Sequence, residues 1–274
     1  MKWNGEAEAA IKKVPFFVRK KVRTRVEQEA AKEGKSLVTL AEVEAAQKRY
    51  LTGMHKEVKG WQLDACFGPS GCPNAITTGQ ELAQQIEPIL QQSDIIGFLE
   101  SKGVAKIKFH HEFRVTVAEC PNACSQPQIK DIGIIAANRP TVTHETCNTC
   151  EMCIEICKED AIAMEHDPVK PRISFQRCVA CGQCISGCPT GTLARGVIGY
   201  RILLGGKLGR HPQLAHEMPG LYDQATVLQI IYACLDLYKS RSQRGERFGE
   251  ILQMTDIAEM TQRFGSRELT RRFA

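Results

Sequence analysis

The sequence predicts an α+β fold in which a cysteine-rich segment interrupts a module of helices and strands. Three observations carry this prediction. Apolar residues recur every fourth position over residues 6–33, and helical spacing returns at 82–89 and 227–238. Residues 106–117 switch to period two, the mark of a strand with one apolar face. Between Cys147 and Cys188, eight cysteines fall in two runs of identical spacing.

Length and composition bound the rest. A chain of 274 residues can bury a real core in one or two domains. A hydrophobic content of 43% with 24% charged residues is that of an ordinary globular protein. No apolar run is long enough to span a bilayer, so no membrane is expected. Met1-Lys2-Trp3 leads into a charged helical pattern rather than a secretory signal. Of 13 cysteines, most fall in sets with ligand-like spacing. Thiolates kept reduced for a metal place the chain in the cytoplasm.

The elements follow in order. Residues 6–33 read as helix, with Val14, Val18, Val22, Val26 and Ala30 on one face and a break or first turn at Pro15. Lys12, Lys13, Arg19, Lys20, Lys21, Arg23 and Arg25 make the other face basic, which reads as a solvated surface. The modest net charge of +5 comes with no aromatic interleaving and no nucleic-acid motif, so DNA or RNA is not an expected partner. Gly34 ends this helix, and Thr39-x-x-Glu42 has the spacing of a capping box opening a second one to about Tyr50. Thr78-x-x-Glu81 repeats that signal before a helix with Leu82, Ile86 and Ile89 on its buried face.

In the strand after Gly103, Ile107, Phe109, Phe113, Val115 and Val117 share one face, with His111 among them as a core histidine. Lys106, Lys108, His110, Glu112, Arg114 and Thr116 take the other. The strand is bracketed by Cys66-x5-Cys72 and Cys120-x3-Cys124.

The two long runs read Cys147-x2-Cys150-x2-Cys153-x3-Cys157 and Cys178-x2-Cys181-x2-Cys184-x3-Cys188-Pro189. This is the bacterial two-cluster ferredoxin pattern, in which the fourth cysteine of each run ligates the other cluster. Cys147, Cys150, Cys153 and Cys188 are expected to hold one [4Fe–4S] cube, and Cys178, Cys181, Cys184 and Cys157 the second. A structural zinc site would want two ligand pairs, and disulfides would not call for the repeated spacing. Lys158 stands where the first run would carry a proline. Further on, the apolar side of a helix carries Val227, Leu228, Ile231, Leu235 and Tyr238, with the leftover Cys234 as a small core residue.

Cys66-Phe67-Gly68-Pro69-Ser70-Gly71-Cys72-Pro73-Asn74, with Cys120-Pro121-Asn122-Ala123-Cys124, resembles the sulfite and nitrite reductase family. The likeness continues through Asp131-Ile132-Gly133-Ile134-Ile135, through the strand and glycine-rich loop from Gly199 to Pro212, and through Gly245-Glu246-Arg247-Phe248-Gly249. It implies a third [4Fe–4S] cluster on Cys66, Cys72, Cys120 and Cys124, with Cys124 also bridging to the iron of siroheme. Arg114, Lys207 and Arg210 are the candidate cations for siroheme carboxylates and an anionic substrate, sulfite or nitrite. The segment from Glu6 to Arg19 resembles the small helical domain of light-independent protochlorophyllide reductases. The expected layout is a small helical domain (1–55), a reductase half-module in two parts (56–138 and 196–274) and an inserted ferredoxin domain (139–195).

This layout looks most like anaerobic and dissimilatory-type sulfite reductase subunits. It implies an enzyme that takes sulfite to sulfide with electrons entering through the ferredoxin clusters. The α/β lobe that usually precedes the first cysteine motif is absent here, so a homodimer or a partner subunit would complete the pocket. The other reading is an electron-transfer subunit without siroheme that feeds a partner reductase.

Overall fold

The computed structural model describes residues 1–14, 16–47, 58–66, 71–77, 79–166 and 169–265. Pro15, the side chain of Val18, the helix end near Tyr50, loop residues 67–70, Thr78 and residues 266–274 lie outside the described residues. The chain divides into two compact units, one of residues 1–59 with 106–108 and one of residues 60–105 with 109–274.

In the first unit, β1 (Lys2–Trp3) leads into α1 (Gly5–Lys12) and α2 (Phe16–Lys32). Asn4 caps α1 by accepting the Ala7 N–H at 2.8 Å, with Glu6 and Glu8 placed favourably in the first turn. The helical stretch over 6–33 is thus two helices, with the interruption between Lys12 and Phe16. Arg19 of α2 donates to the Lys12 and Val14 carbonyls, satisfying the end that a continuous helix would have bonded internally. Gly34, at φ +73°, closes α2, and the chain returns as β2 (Leu37–Val38), parallel to β1. At α3 (residues 40–47), Glu42 accepts both the Thr39 N–H (2.8 Å) and its hydroxyl (2.5 Å). Val26 and Ala30 are buried with Ala7, Val38 and Val43, the face the four-residue spacing marked. Arg23 pairs with Glu8 at 2.6 Å and stacks over Trp3, while Arg25 pairs with Glu29.

The second unit is built on a five-stranded sheet. β3 (Trp61–Ala65) is followed by α4 (Gly79–Gln92) and α5 (Ile95–Ser101), then β4 (Phe113–Ala118) and β5 (Ile132–Val142). Next come α6 (Met152–Ile156), the hairpin β6 (Ile162–His166) and β7 (Val169–Ile173), and α7 (Gln183–Ser186). β8 (Leu193–Leu204) and β9 (His216–Glu217) complete the sheet, followed by α8 (Gln224–Arg241), α9 (Phe248–Ile251) and α10 (Met254–Phe264). The sheet order is β3-β4-β5-β8-β9, parallel among the first three and antiparallel thereafter.

The expected strand starting near Ile107 begins instead at Phe113. Its ladder with β3 begins at the pair Trp61–Phe113, and Phe109–His111 close into a 3-10 turn before it. On the other face, Thr116 is fully buried within β4, and Glu112, just before the strand, is buried as well. His111 is half-buried, with its ring 4.1 Å from that of His110.

Leu82, Ile86 and Leu90 of α4 are fully buried, each contributing on the order of 1.5–3 kcal/mol. Val227, Ile231, Leu235 and Tyr238 of α8 are buried as well, with Ile230 taking the inward place expected of half-buried Leu228. Cys234 is a fully buried core residue. Phe113 packs on Tyr238 and Phe248 with centroids 5.3 and 5.4 Å apart. The glycine-rich turn after β8 lies directly against Gly249, where any side chain would strike the Gly205 backbone.

β5 and β8 pair from Ile132↔Leu204 to Val142↔Leu193, so residues 143–192 form an excursion between two paired strands. Where the chain leaves α8, Glu246 accepts the Ser242 hydroxyl and the Gln243 and Arg244 N–H groups. These donors, the Arg244 N–H foremost, hold its carboxyl at about 2. Because the folded value is depressed, this stability is present above the unfolded value and is lost as pH falls through 2. Glu246→Gln should cost about 1 kcal/mol at neutral pH, discounted for solvent screening. The gap to wild type in denaturant midpoint should narrow as pH falls below about 4.5.

Candidate functional site

Twelve cysteines, all with free thiols, fall in three sets along the chain. The first set is at the carboxyl ends of β3 and β4. Cys66 follows β3, its N–H bonded to the Val117 carbonyl, and Cys120 and Cys124 follow β4 around a turn with Ala123 at φ +55°. The Cys66 sulfur receives the Glu119 N–H at 3.2 Å, and the Cys124 sulfur receives Asn122 Nδ2 at 3.1 Å. Burial pushes the Cys120 thiol up, and the neighbouring Cys72, Cys66 and Cys124 add to the rise. The four sulfurs therefore share one electrostatic environment. Cys124 alone of the four is exposed.

The two long runs fold alike. Thr149 and Ala180, each before the second cysteine of its run, are left-handed at φ +59° and +57°. Glu151 and Gly182, each after it, are left-handed at +57° and +71° and open the short helices α6 and α7. These turns place the third cysteines, Cys153 and Cys184, in a buried cluster with Ile162 and Leu193. Burial raises both thiols, Cys184 to about 12. The groups that interact electrostatically with Cys153 include Cys147 and Cys188; those that act on Cys184 are Cys178, Cys181, Cys157 and Cys153. The fourth cysteine of the first run, Cys157, thus lies near Cys178 and Cys184, and that of the second, Cys188, near Cys153. Cys150 is exposed in its loop.

Backbone donors converge on these sulfurs. The Ala161 N–H reaches Cys157 at 3.4 Å, the Leu193 N–H reaches Cys188 at 3.4 Å, and the Thr149 N–H reaches Cys147 at 3.5 Å. Burial would raise the Cys188 thiol, but the Leu193 N–H and the Thr190 hydroxyl outweigh it and hold Cys188 below its ordinary value. Among the described residues, no three His, Cys, Asp or Glu side chains converge on a single ion. Thiols that cap separate corners of a cube need no such convergence.

The three candidate cations have different surroundings. Arg114 is half-buried on β4, donating to the Phe109 carbonyl at 3.0 Å. Lys207 is buried after the glycine turn and ion-paired to Glu250 at 2.7 Å. Arg210 is exposed in the same loop. Sequence spacing did not single out Glu119, whose buried carboxyl accepts the Gly79 N–H at 2.6 Å and whose own N–H serves Cys66. An acidic residue immediately before Cys120 was the available signal. Arg139, buried beside Cys178, had none, being far from it in sequence.

The family model described as "Nitrite and sulphite reductase 4Fe-4S domain" matches residues 59–273, and that described as "Proto-chlorophyllide reductase 57 kD subunit" matches residues 3–47. The chain is 33% identical over 98 residues to the coenzyme F420-dependent sulfite reductase of Methanocaldococcus jannaschii, covering 36% of this chain and 14% of that protein. It is 24% identical over 105 residues to a subunit of the anaerobic sulfite reductase of Salmonella typhimurium, covering 38% of this chain and 26% of that one. Over 40 residues it is 58% identical to a subunit of the light-independent protochlorophyllide reductase of Chlorobium phaeovibrioides, covering 15% of this chain and 8% of that protein. The chain thus spans only a minor part of each of these relatives.

Proposed function

The chain belongs to the nitrite and sulphite reductase 4Fe-4S domain family, and from that premise we propose that it is the iron–sulfur part of an enzyme that reduces sulfite or nitrite. The observation that supports this reading is the set of free thiols that lie near one another: Cys66, Cys72 and Cys124 with Cys120, Cys147 and Cys188 with Cys153, and Cys157, Cys178 and Cys181 with Cys184. The donor set fits [4Fe–4S] clusters: soft thiolates, several receiving backbone N–H groups and set in partly apolar surroundings. Cys66, Cys72, Cys120 and Cys124 would hold one cluster. Cys147, Cys150, Cys153 and Cys188 would hold the second, and Cys157, Cys178, Cys181 and Cys184 the third, the last two within an inserted ferredoxin domain.

The exposed thiol of Cys124 fits a ligand shared with siroheme, and Asn122 Nδ2 would orient it. When bound, siroheme supplies the Lewis-acidic, redox-active iron at which the oxyanion reacts. Arg210 would attract and orient the anion from the glycine loop. Lys207 would keep that loop in place through Glu250, and Arg114 would brace the entry to β4 through the Phe109 carbonyl. A second copy or a partner subunit would complete the pocket, an electron-donor protein would supply reducing equivalents, and a reducing cytoplasm would keep the thiols competent.

The ion pair that occupies Lys207 favours a second reading, an electron-transfer subunit without siroheme that serves a partner reductase. Anaerobic purification from a siroheme-producing host separates the two. The reductase reading expects about twelve cluster irons per chain plus tetrapyrrole bands in the visible spectrum. The same iron without those bands selects the relay. Iron near eight removes the cluster at Cys66 and the reductase reading with it.

A further inference from the structure

The two ferredoxin-like thiol groups share a turn geometry but differ in what surrounds them. Arg139, at the β-bulge between Asn138 and Pro140, is 6% exposed, and its guanidinium lies 3.7 Å over the ring of Phe175. The bulge is tied to the second run. The Asn138 N–H donates to the Ala180 carbonyl at 2.7 Å, and the Asn138 side chain packs so closely on Gly182 that an added Cβ would stand 2.7 Å from it. Arg139, Phe175, Cys178 and Ala180 line one cavity of about 390 Å³, together with Arg201. Arg201 already carries a bidentate ion pair with Glu217, both contacts 2.6 Å.

Arg139 thus brings a positive charge to the cavity that Cys178 lines. By contrast, Cys188 in the other group draws on neutral donors, the Leu193 N–H and the Thr190 hydroxyl. A cation held by an aromatic face in a low-dielectric pocket favours the more negative state of whatever sits beside it. For an iron–sulfur cluster that state is the reduced one.

We propose that Arg139 is a positioning residue that raises the reduction potential of a cluster on Cys157, Cys178, Cys181 and Cys184 above that of one on Cys147, Cys150, Cys153 and Cys188. This rests on the cluster assignment proposed above. Two sites of repeated sequence are thereby made inequivalent, with the one beside the Asn138–Pro140 bulge the more readily reduced.

The test is a redox titration of the full chain, followed by electron paramagnetic resonance under anaerobic conditions, with Cys150→Ser used to mark the signal of the other site. Arg139→Met should lower the marked-out potential on the order of tenfold in equilibrium constant, about 59 mV for one electron, and leave its neighbour unmoved. Arg139→Lys, which keeps the charge, should recover most of that shift. An unchanged potential in Arg139→Met with full iron content overturns the proposal while leaving the cluster assignment intact. If Arg139→Met does not retain iron, Phe175→Leu must lower the same potential by releasing the guanidinium from its ring, and no change there overturns the proposal. A wild type without two ferredoxin-type signals overturns the cluster assignment and this inference together.

Discussion

Cys124→Ser is expected to keep the iron of both ferredoxin-like groups and to lose sulfite or nitrite reduction by at least about a hundredfold. That is the upper end of what losing an outer-shell partner costs, and Cys124 would be a direct ligand. Serine preserves size and an oxygen donor but bonds soft iron weakly. Because Cys124 is the exposed thiol of its group, the change leaves the packing of β3 and β4 untouched. Cys66→Ala, which removes the half-buried sulfur that receives the Glu119 N–H, should instead lose cluster iron first and disturb any tetrapyrrole band only as a consequence. Iron content, visible spectrum and activity of the two variants beside wild type, all made without oxygen, decide it. Normal turnover in Cys124→Ser from a protein that contains siroheme would end the shared-ligand assignment. Parallel loss of both cofactors in the two variants would deny Cys124 a role distinct from Cys66.

What was legible in the sequence was local. Cysteine spacing encodes turns that the chain makes within a few residues, and those turns recur as left-handed residues at matching positions in both long runs. The buried faces of α4 and α8 follow from helical periodicity alone. What the pattern missed depends on neighbours distant in the chain. The start of β4 is set by where β3 begins, and nothing within residues 106–113 records that. Pro15 marked a break in the first helical stretch, but not that Arg19 would reach back across it to the Lys12 and Val14 carbonyls. Arg139 is placed by a bulge in the pairing of β5 with β8, and its nearness to Cys178 exists only once the excursion between those strands has folded back. Of the three candidate cations, Arg210 is exposed in its glycine-rich loop. Lys207, three residues before it, turns inward to Glu250.

The largest effect on stability is expected from Asp131→Ala. Asp131 is fully buried where the chain returns from the Cys120–Cys124 turn to begin β5. One carboxylate oxygen accepts the Arg114 N–H at 2.8 Å and the Arg247 guanidinium at 2.7 Å, joining β4, β5 and the approach to α9 across 116 residues of sequence. Its other oxygen is buried with no hydrogen-bond partner among the described residues. Removing the carboxylate strands a buried N–H and a mostly buried arginine, which costs about 3–5 kcal/mol. Asp131→Asn should cost less, since its amide oxygen can still accept the Arg114 N–H. The pH dependence separates charge from geometry. Burial raises the Asp131 carboxyl above its ordinary range despite Arg247, so the ionised form is penalised on folding. That penalty is absent while the carboxyl is protonated in both states and grows as pH rises from about 4 toward the raised folded value. Asparagine escapes it. The stability of Asp131→Asn relative to wild type should therefore improve over that window, read as denaturant midpoints at unchanged slope. A loss below about 1 kcal/mol in Asp131→Ala would place this site with ordinary surface substitutions and deny the buried network its part in holding the sheet to α9.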